Sequence, residues 1–152
     1  MDSADRKILA AIQRDARLSI AALSEIAGLS TASVQRRLKS LRETGVIRGD
    51  VALLDPEKLG FGITAVVFVE LARDRADQID TFRRKARAEP HVLHLYCIAG
   101  DADFVMVVIA RDMADYEAFT YRFFFSDTSV QRFRTSIAIS TDKSTLEYPV
   151  PM

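Results

Sequence analysis

The apolar residues of this chain change their spacing near residue 62, and that change predicts two domains. Up to about residue 44 they recur every three or four positions, the period of a helix with one buried face. Beyond residue 62, short runs rich in valine, isoleucine and phenylalanine alternate with helical stretches, which is typical of a mixed domain. We therefore expect a helical domain over residues 1–50, a hinge or linking strand over 51–61, and a second domain over 62–152.

Two helices are predicted at the start of the first domain. The first runs from about Ala4 to Asp15 with Ser3 as its cap. The second follows Ser19, and Gly28 supplies the residue of positive φ at which a helix can end. The positions expected to face inward are Ile8, Leu9, Ile12, Ile20, Leu23, Ile26 and Ala27.

A third helix is predicted between Ser30, a favourable N-cap residue, and Gly45. Val34, Leu38 and Leu41 form its apolar stripe, so its cations face outward. Two short helices joined by a glycine turn, with cations on the second, are typical of a helix-turn-helix, whose second helix enters the DNA major groove. The same pattern occurs in all-α domains, where a basic helix face is simply solvated.

The rest of the chain predicts a wing or linking strand over residues 46–54, and then strands and helices in the order β-α-β-β-α-β. The strands are expected at 63–71, 92–99, 104–110 and 130–140, and the helices at 76–89 and 113–125. This order is that of ferredoxin-like domains. The predicted fold class is therefore α+β, an N-terminal winged helix-turn-helix followed by a ferredoxin-like domain. The inward helix positions are Ile79, Phe82, Ala86, Tyr116, Phe119 and Phe123.

Charge changes this picture, although the whole chain is neutral. Residues 1–48 hold nine Lys and Arg against five Asp and Glu, a net charge of +4, and the remainder carries −4. A basic first domain favours nucleic acid as its partner. The single cysteine, Cys97, is expected to be a small buried residue of a strand, and it excludes an internal disulfide. With no apolar run long enough for a membrane span or signal peptide, we expect a cytoplasmic protein.

The outward face of the third helix predicts how DNA would be bound. Residues near the N-terminal half of such a helix meet base edges, where arginine pairs with guanine and glutamine with adenine. We assign base contacts to Ser33, Gln35 and Arg36, and phosphate contacts to Ser30, Thr31, Arg37 and Lys39. Arg37 has an alternative, because an arginine on the flank of the helix can pair with a carboxylate of its own domain.

Short motifs along nearly the whole chain resemble those of the Lrp/AsnC family of transcription regulators. Each is weak alone, but their order and spacing together are specific. They are Asp2-Ser3-Ala4-Asp5-Arg6-Lys7-Ile8-Leu9, Asp15-Ala16-Arg17, Gly28-Leu29-Ser30, Arg37-Leu38, Gly45-Val46-Ile47, Leu54-Asp55-Pro56, Leu59-Gly60 and Gly100-Asp101-Ala102-Asp103.

The resemblance implies a regulator of promoter DNA that responds to an amino acid or a related small effector. It also implies a homodimer, assembling further to a tetramer of dimers. We assign the effector to the loop of Gly100, Asp101 and Asp103, where backbone N–H groups suit a carboxylate and the aspartates suit an ammonium group. The same residues equally suit a plain hairpin turn. Two stretches depart from the family pattern, 123–125 (three phenylalanines) and 126–130 (no Pro-Gly pair).

No metal, cofactor or catalytic residue is predicted. His91 and His94 are three apart, which in a strand places them on opposite faces, and no nucleophile or phosphate-loop motif is present. Two alternatives remain at this stage. One is an enzyme of the tetrapyrrole decarboxylase type, which resembles the same family, and the other is an effector-binding assembly module that does not bind DNA.

Overall fold

The computed structural model describes residues 1–72 and 76–151, which form two compact units. The first unit contains residues 1–53 together with a C-terminal segment that starts at Asp142, and the second contains residues 54–141. The expected second domain extended to residue 152. The structure differs there, because the C-terminal segment makes its contacts with the first unit.

Three helices build the first unit: α1 (Ser3–Ile12), α2 (Ile20–Ala27) and α3 (Thr31–Glu43). The cap of α1 is Asp2, not Ser3 as expected, because two aspartates form a capping box. The Asp2 carboxylate accepts a hydrogen bond from Asp5 N at 2.9 Å, and Asp5 accepts one from Asp2 N at 2.9 Å. The helix ends three residues earlier than predicted. The core of the unit is Ile8, Leu23, Ala27, Val34 and Leu38.

The turn between α2 and α3 confirms the sequence prediction. Gly28 ends α2 with φ of 67°, a left-handed conformation that a side chain would strain. Ser30 caps α3 by accepting a hydrogen bond from Ser33 N at 3.3 Å. Ile26 does not belong to the buried stripe, since it remains 45% exposed.

Residues 46–54, predicted to form a wing or a linking strand, are not assigned to a strand within the described chain. A strand needs a neighbour for its backbone hydrogen bonds, and the described residues supply none to this segment. Ile47 instead donates its backbone N–H to Leu41 O at 3.0 Å and packs on the core of the helices. Val51, Leu53 and Leu54 are exposed.

The C-terminal segment contacts the end of α1 through a side-chain amide. Gln13 donates from Nε2 to Tyr148 O at 2.9 Å and accepts from Tyr148 N at 3.0 Å, so one amide satisfies both backbone groups of one residue. Beside it, Arg14 Nε lies 2.8 Å from Glu147 Oε1. No periodicity of the segment indicated this pairing.

The second unit has the predicted β-α-β-β-α-β order. Its elements are β1 (Ile63–Leu71), α4 (Ala76–Ala88), β2 (Val92–Cys97), β3 (Phe104–Ala110), α5 (Met113–Thr120) and β4 (Val130–Ile137). The strands form one antiparallel sheet in the order β2-β3-β1-β4. The last part of the predicted helix 113–125 is not α-helical, since residues Tyr121–Phe125 form a π-helical turn.

One face of the sheet packs against the helices and holds the core. Alternate residues of β1 and β3 point there and are fully buried, as the period of two requires. Phe82 of α4 lies among them, with ring centroids 5.0 Å from Phe104 and 5.8 Å from Phe123. Phe119 and Phe124 continue this aromatic core, and their rings are 5.6 Å apart. Of the three consecutive phenylalanines, only Phe125 is largely exposed, at 67%.

This packing predicts a large difference between two phenylalanine substitutions. Phe82→Ala removes a ring that is 1% exposed and leaves a cavity, so we expect the unfolding free energy to fall by about 3–5 kcal/mol. Phe125→Ala, the matched control, should change it by well under half of that. Urea unfolding followed by circular dichroism measures both. Similar losses for the two variants would contradict the assigned core.

Candidate DNA-binding and effector sites

The outer face of α3 presents the residues predicted to read DNA. Gln35, Arg36 and Lys39 are exposed, and within the described chain neither Gln35 nor Arg36 has a hydrogen-bond or ion-pair partner. Lys39 Nζ lies 3.8 Å from Glu43 Oε1, a loose pair one helical turn away. Such exposed pairs are weak, so all three side chains are available to a ligand.

The hydroxyl residues at the start of α3 differ from one another. Ser30 already uses its hydroxyl as the helix cap, whereas Thr31 is exposed beside it. Ser33 is half-buried. These residues lie at the N-terminus of α3, where the first backbone N–H groups of a helix favour an anion such as a phosphate.

Arg37 is engaged inside its own unit, as the alternative interpretation of the sequence proposed. Its Nη1 atom lies 2.7 Å from Asp2 Oδ2 and 2.8 Å from Asp5 Oδ1, so one guanidinium joins α3 to both members of the capping box of α1. Hydrogen bonds with Asp5 and Asp2 raise the pKa of Arg37 above its ordinary value. The backbone N–H of Asp5 and the guanidinium lower that of Asp2. We therefore assign Arg37 to holding α3 in place rather than to the phosphate contact first expected.

The loop predicted to bind an effector connects β2 to β3. Asp103 is occupied there, because its Oδ2 accepts a hydrogen bond from Leu71 N at 2.7 Å and its backbone N–H donates to Val69 O at 3.0 Å. This carboxylate thus fixes the end of β1. Asp101 is exposed, and Gly100 has φ of 154° with open space around its Cα. The loop is therefore the connection of a β-hairpin, and Asp101 and the backbone at Gly100 are accessible.

A charged cluster that the sequence did not indicate lies between α4, α5 and the start of β2. Glu89 Oε1 lies 2.9 Å from His91 Nδ1 and 2.9 Å from an Arg122 nitrogen. Burial raises the pKa of Glu89, but the hydrogen bonds from the His91 side chain and backbone and from Arg122, together with the charge of Arg122, outweigh it, and the net shift is downward. Asp115 accepts hydrogen bonds from the Arg111 side chain and backbone, both at 2.9 Å, which hold its pKa well below its usual range. Only the four-residue spacing of Arg111 and Asp115 was visible in the sequence.

The two remaining candidates from the sequence lie on the edge strand β2. His94 stacks on Tyr96, with ring centroids 6.1 Å apart. Cys97 is exposed, so the expectation of a buried thiol was wrong. The physical reason is topological: β2 is the outermost strand, and residues at an edge are covered on fewer sides than those of a central strand.

The two units together correspond to a DNA-binding head and a small-molecule-binding body. The winged helix-turn-helix DNA-binding family matches residues 1–48, and the Lrp/AsnC ligand binding domain matches residues 64–148. None of the described helices is long and apolar enough to cross a membrane. These matches define a DNA-binding transcription regulator of the effector-responsive class.

Curated transcription regulators are similar in sequence to nearly the whole chain. The chain is 36% identical over 150 residues to the DNA-binding transcriptional activator DecR of Escherichia coli, covering 99% of each protein. It is 40% identical to an uncharacterised HTH-type transcriptional regulator of Sinorhizobium fredii, covering 99% of this chain and 89% of that one. The chain belongs to the Lrp/AsnC family.

Solved structures agree with this assignment. An AsnC family transcriptional regulator from Agrobacterium tumefaciens has a TM-score of 0.93 at 35% identity, over 98% of this chain and 97% of that one. A transcriptional regulator from Neisseria meningitidis, solved in complex with L-Met, has a TM-score of 0.92 at 31% identity, over 98% and 96%.

The position of Arg37 predicts a loss of stability that a phosphate-binding residue would not show. Arg37→Ala leaves two carboxylates facing each other at the start of α1, so we expect a lower melting temperature at pH 7. Lys39→Ala, two residues further along α3 on its exposed face, should leave it nearly unchanged. Thermal unfolding of the two variants and the wild type measures this.

The same comparison has a defined pH dependence. Because the folded-state pKa of Asp2 is lowered, its stabilising contribution is present above its unfolded pKa and is lost as the pH falls through the folded value. The difference between wild type and Arg37→Ala should therefore persist from pH 7 to about pH 4 and shrink below it. A difference that is constant down to about pH 2 would exclude the carboxylate pairing.

Proposed function

We propose that the head binds a specific promoter sequence through the exposed face of α3, with Arg36 and Gln35 as the principal base-reading residues. The observation that carries this proposal is the freedom of these two side chains. Several other cations of the head are instead paired with carboxylates, among them Arg37, Arg14 and Arg42. An arginine that has no partner and lies on the outer face of the recognition helix suits bidentate pairing with guanine.

Positioning on the DNA backbone falls to Lys39, Thr31 and the N-terminal N–H groups of α3. Lys39 is only loosely paired, and the Ser30 hydroxyl is used by the helix cap, where it accepts a hydrogen bond from the backbone N–H of Ser33. Contacts of this kind carry little sequence information but set the register of the helix in the groove.

We further propose that the body binds an amino acid or a related small effector at the β2–β3 loop. Support comes from the exposed Asp101, which suits an ammonium group, and from the open backbone around Gly100, which suits a carboxylate. The L-Met complex of the Neisseria meningitidis relative gives the chemical class of ligand. Asp103 would act mainly by fixing the loop, because one of its oxygens is already bound to Leu71 N.

The assembly proposed is a homodimer, able to associate further into a tetramer of dimers. Its support is the sheet face that the helices leave uncovered, where Val66, Phe68, Val105 and Val107 form an apolar strip. Two copies would also place two heads on successive half-sites of DNA. In this proposal the protein acts in the cytoplasm, where promoter DNA lies, and it regulates rather than catalyses.

DNA binding predicts different responses from two α3 variants. Arg36→Ala should lose about 1–3 kcal/mol on a duplex selected in vitro from a random library, and much less on a scrambled duplex. Lys39→Ala should weaken both alike and reduce the slope of log affinity against log salt by about one. Fluorescence anisotropy at about 50 and 200 mM salt measures these effects.

The control for charge is Arg84→Ala, which removes one cation from the body and should leave both duplexes unaffected. Equal losses for Arg36→Ala on the selected and scrambled duplexes would remove the base-reading role. Absence of any binding by the wild type at about 50 mM salt would overturn DNA binding itself.

If the body binds an amino acid, that amino acid should raise the thermal stability of the protein. An amino acid present at a hundredfold its Kd adds about 2.7 kcal/mol to the stability of the state that binds it. A thermal-shift panel of the twenty amino acids should therefore give a rise for one or a few of them. Asp101→Asn should abolish the rise, whereas Asp142→Asn outside the body should not. No shift with any amino acid would contradict an amino-acid effector.

A further inference from the structure

A cavity of about 500 Å³ opens between α4 and the edge strand β2, on the helix side of the sheet. Its volume lies in the range of pockets that hold small molecules, about 300–1,000 Å³. The cavity is separate from the exposed part of the β2–β3 loop, since none of Gly100, Asp101 and Asp103 lines it.

The lining of the cavity has two parts of different chemistry. Five of the eight described lining residues are apolar and come from β2, β3 and α4. They are Ala86, Val92, Leu93, Leu95 and Phe104. The polar part consists of the guanidinium groups of Arg83 and Arg87, together with the thiol of Cys97. Of the described residues that line the cavity, none is acidic.

The two arginines differ in how they are held. Arg83 Nη1 lies 3.2 Å from Asp80 Oδ1, and its Cζ lies 5.8 Å from the Phe104 ring centroid. Hydrogen bonds to the Cys97 sulfur and to Asp80 raise the pKa of Arg83 above its ordinary value. Arg87 is exposed one turn further along α4, and no described carboxylate lies within ion-pairing distance of it. Arg87 is thus the cation with unused donors.

We propose that this cavity binds an apolar monocarboxylate that lacks an ammonium group, with Arg87 as its principal anchor and Arg83 beside it. A carboxylate matches the planar donor pair of a guanidinium. The apolar lining residues take the hydrocarbon part of the ligand. An ammonium group would have no described acidic partner among the lining residues and would lie near two cations, so a zwitterionic amino acid fits less well. The proposal does not depend on DNA binding or on the effector loop.

Cys97 makes the proposal testable, because it is the single cysteine of the chain and lines the cavity. The rate at which N-ethylmaleimide, a neutral reagent, modifies Cys97 is measured in the full-length protein with and without each ligand. Three ligands share one carbon skeleton: 4-methylpentanoate, its neutral amide, and leucine, which adds an ammonium group. For each variant, the modification rate with ligand is divided by the rate without ligand. This ratio cancels any direct effect of the substitution on the reactivity of the thiol.

We expect saturable protection of Cys97 by 4-methylpentanoate and at least several-fold weaker protection by the amide. Arg87→Gln should weaken the apparent affinity for 4-methylpentanoate about tenfold, since one charge-assisted hydrogen-bonding group is lost. Arg84→Gln is the matched control, because it removes the same charge from the same helix outside the cavity, and it should leave protection unchanged.

Three results would overturn the proposal. The first is no protection by 4-methylpentanoate at millimolar concentration, and the second is protection that Arg87→Gln leaves intact. The third is protection by leucine that equals that of 4-methylpentanoate and is equally sensitive to Arg87→Gln, since it would remove the selectivity against an ammonium group.

Discussion

The helices of the body cover only one face of its four-stranded sheet, and much of the chemistry of the surface follows from this constraint. On the covered face, alternate residues of β1 and β3 are buried against an aromatic core around Phe82 and Phe119. On the other face the same strands present Val66, Phe68, Val105 and Val107. Because side chains alternate along a strand, one sequence supplies a core and an apolar outer surface at once.

The position of β2 at the edge of the same sheet bears on the cavity beside this strand and on the loop that follows it. An outer strand has a neighbour on one side only, so α4 leaves a gap beside it rather than sealing it. Cys97 and the stems of Arg83 and Arg87 lie at that gap. The β2–β3 loop at the end of the strand is held by Asp103, whose carboxylate replaces a missing strand partner for Leu71 N. The loop that carries the exposed Asp101 is thus tied to the end of β1.

In the head, the recognition helix is held by charge as well as by apolar packing. Val34 and Leu38 bury its inner face, while Arg37 reaches the two aspartates that cap α1. The same carboxylates satisfy free N–H groups of α1 and neutralise a cation of α3. Arg36 and Lys39, one residue before and two residues after Arg37, lie on the exposed face of α3. The chain then returns to the head after the body, where Gln13 and Arg14 bind the C-terminal segment.

Periodicity and turn chemistry by themselves determined the order of the elements, the helix-turn-helix with Gly28 and Ser30 at its corners, and the inward positions Phe82, Ala86 and Phe119. These depend on interactions between residues close in sequence, or on a simple alternation. Only the tertiary structure decided what distant residues do to one another. The sequence allowed Arg37 to bind either a phosphate or a carboxylate, and the fold pairs it with Asp2 and Asp5. The pattern around Cys97 predicted a buried thiol, but β2 is an edge strand and the thiol is exposed. The composition of residues 46–54 predicted a strand, but no described strand pairs with this segment. A sequence pattern states what a residue prefers, but burial and pairing depend on which other parts of the chain come within a few ångströms.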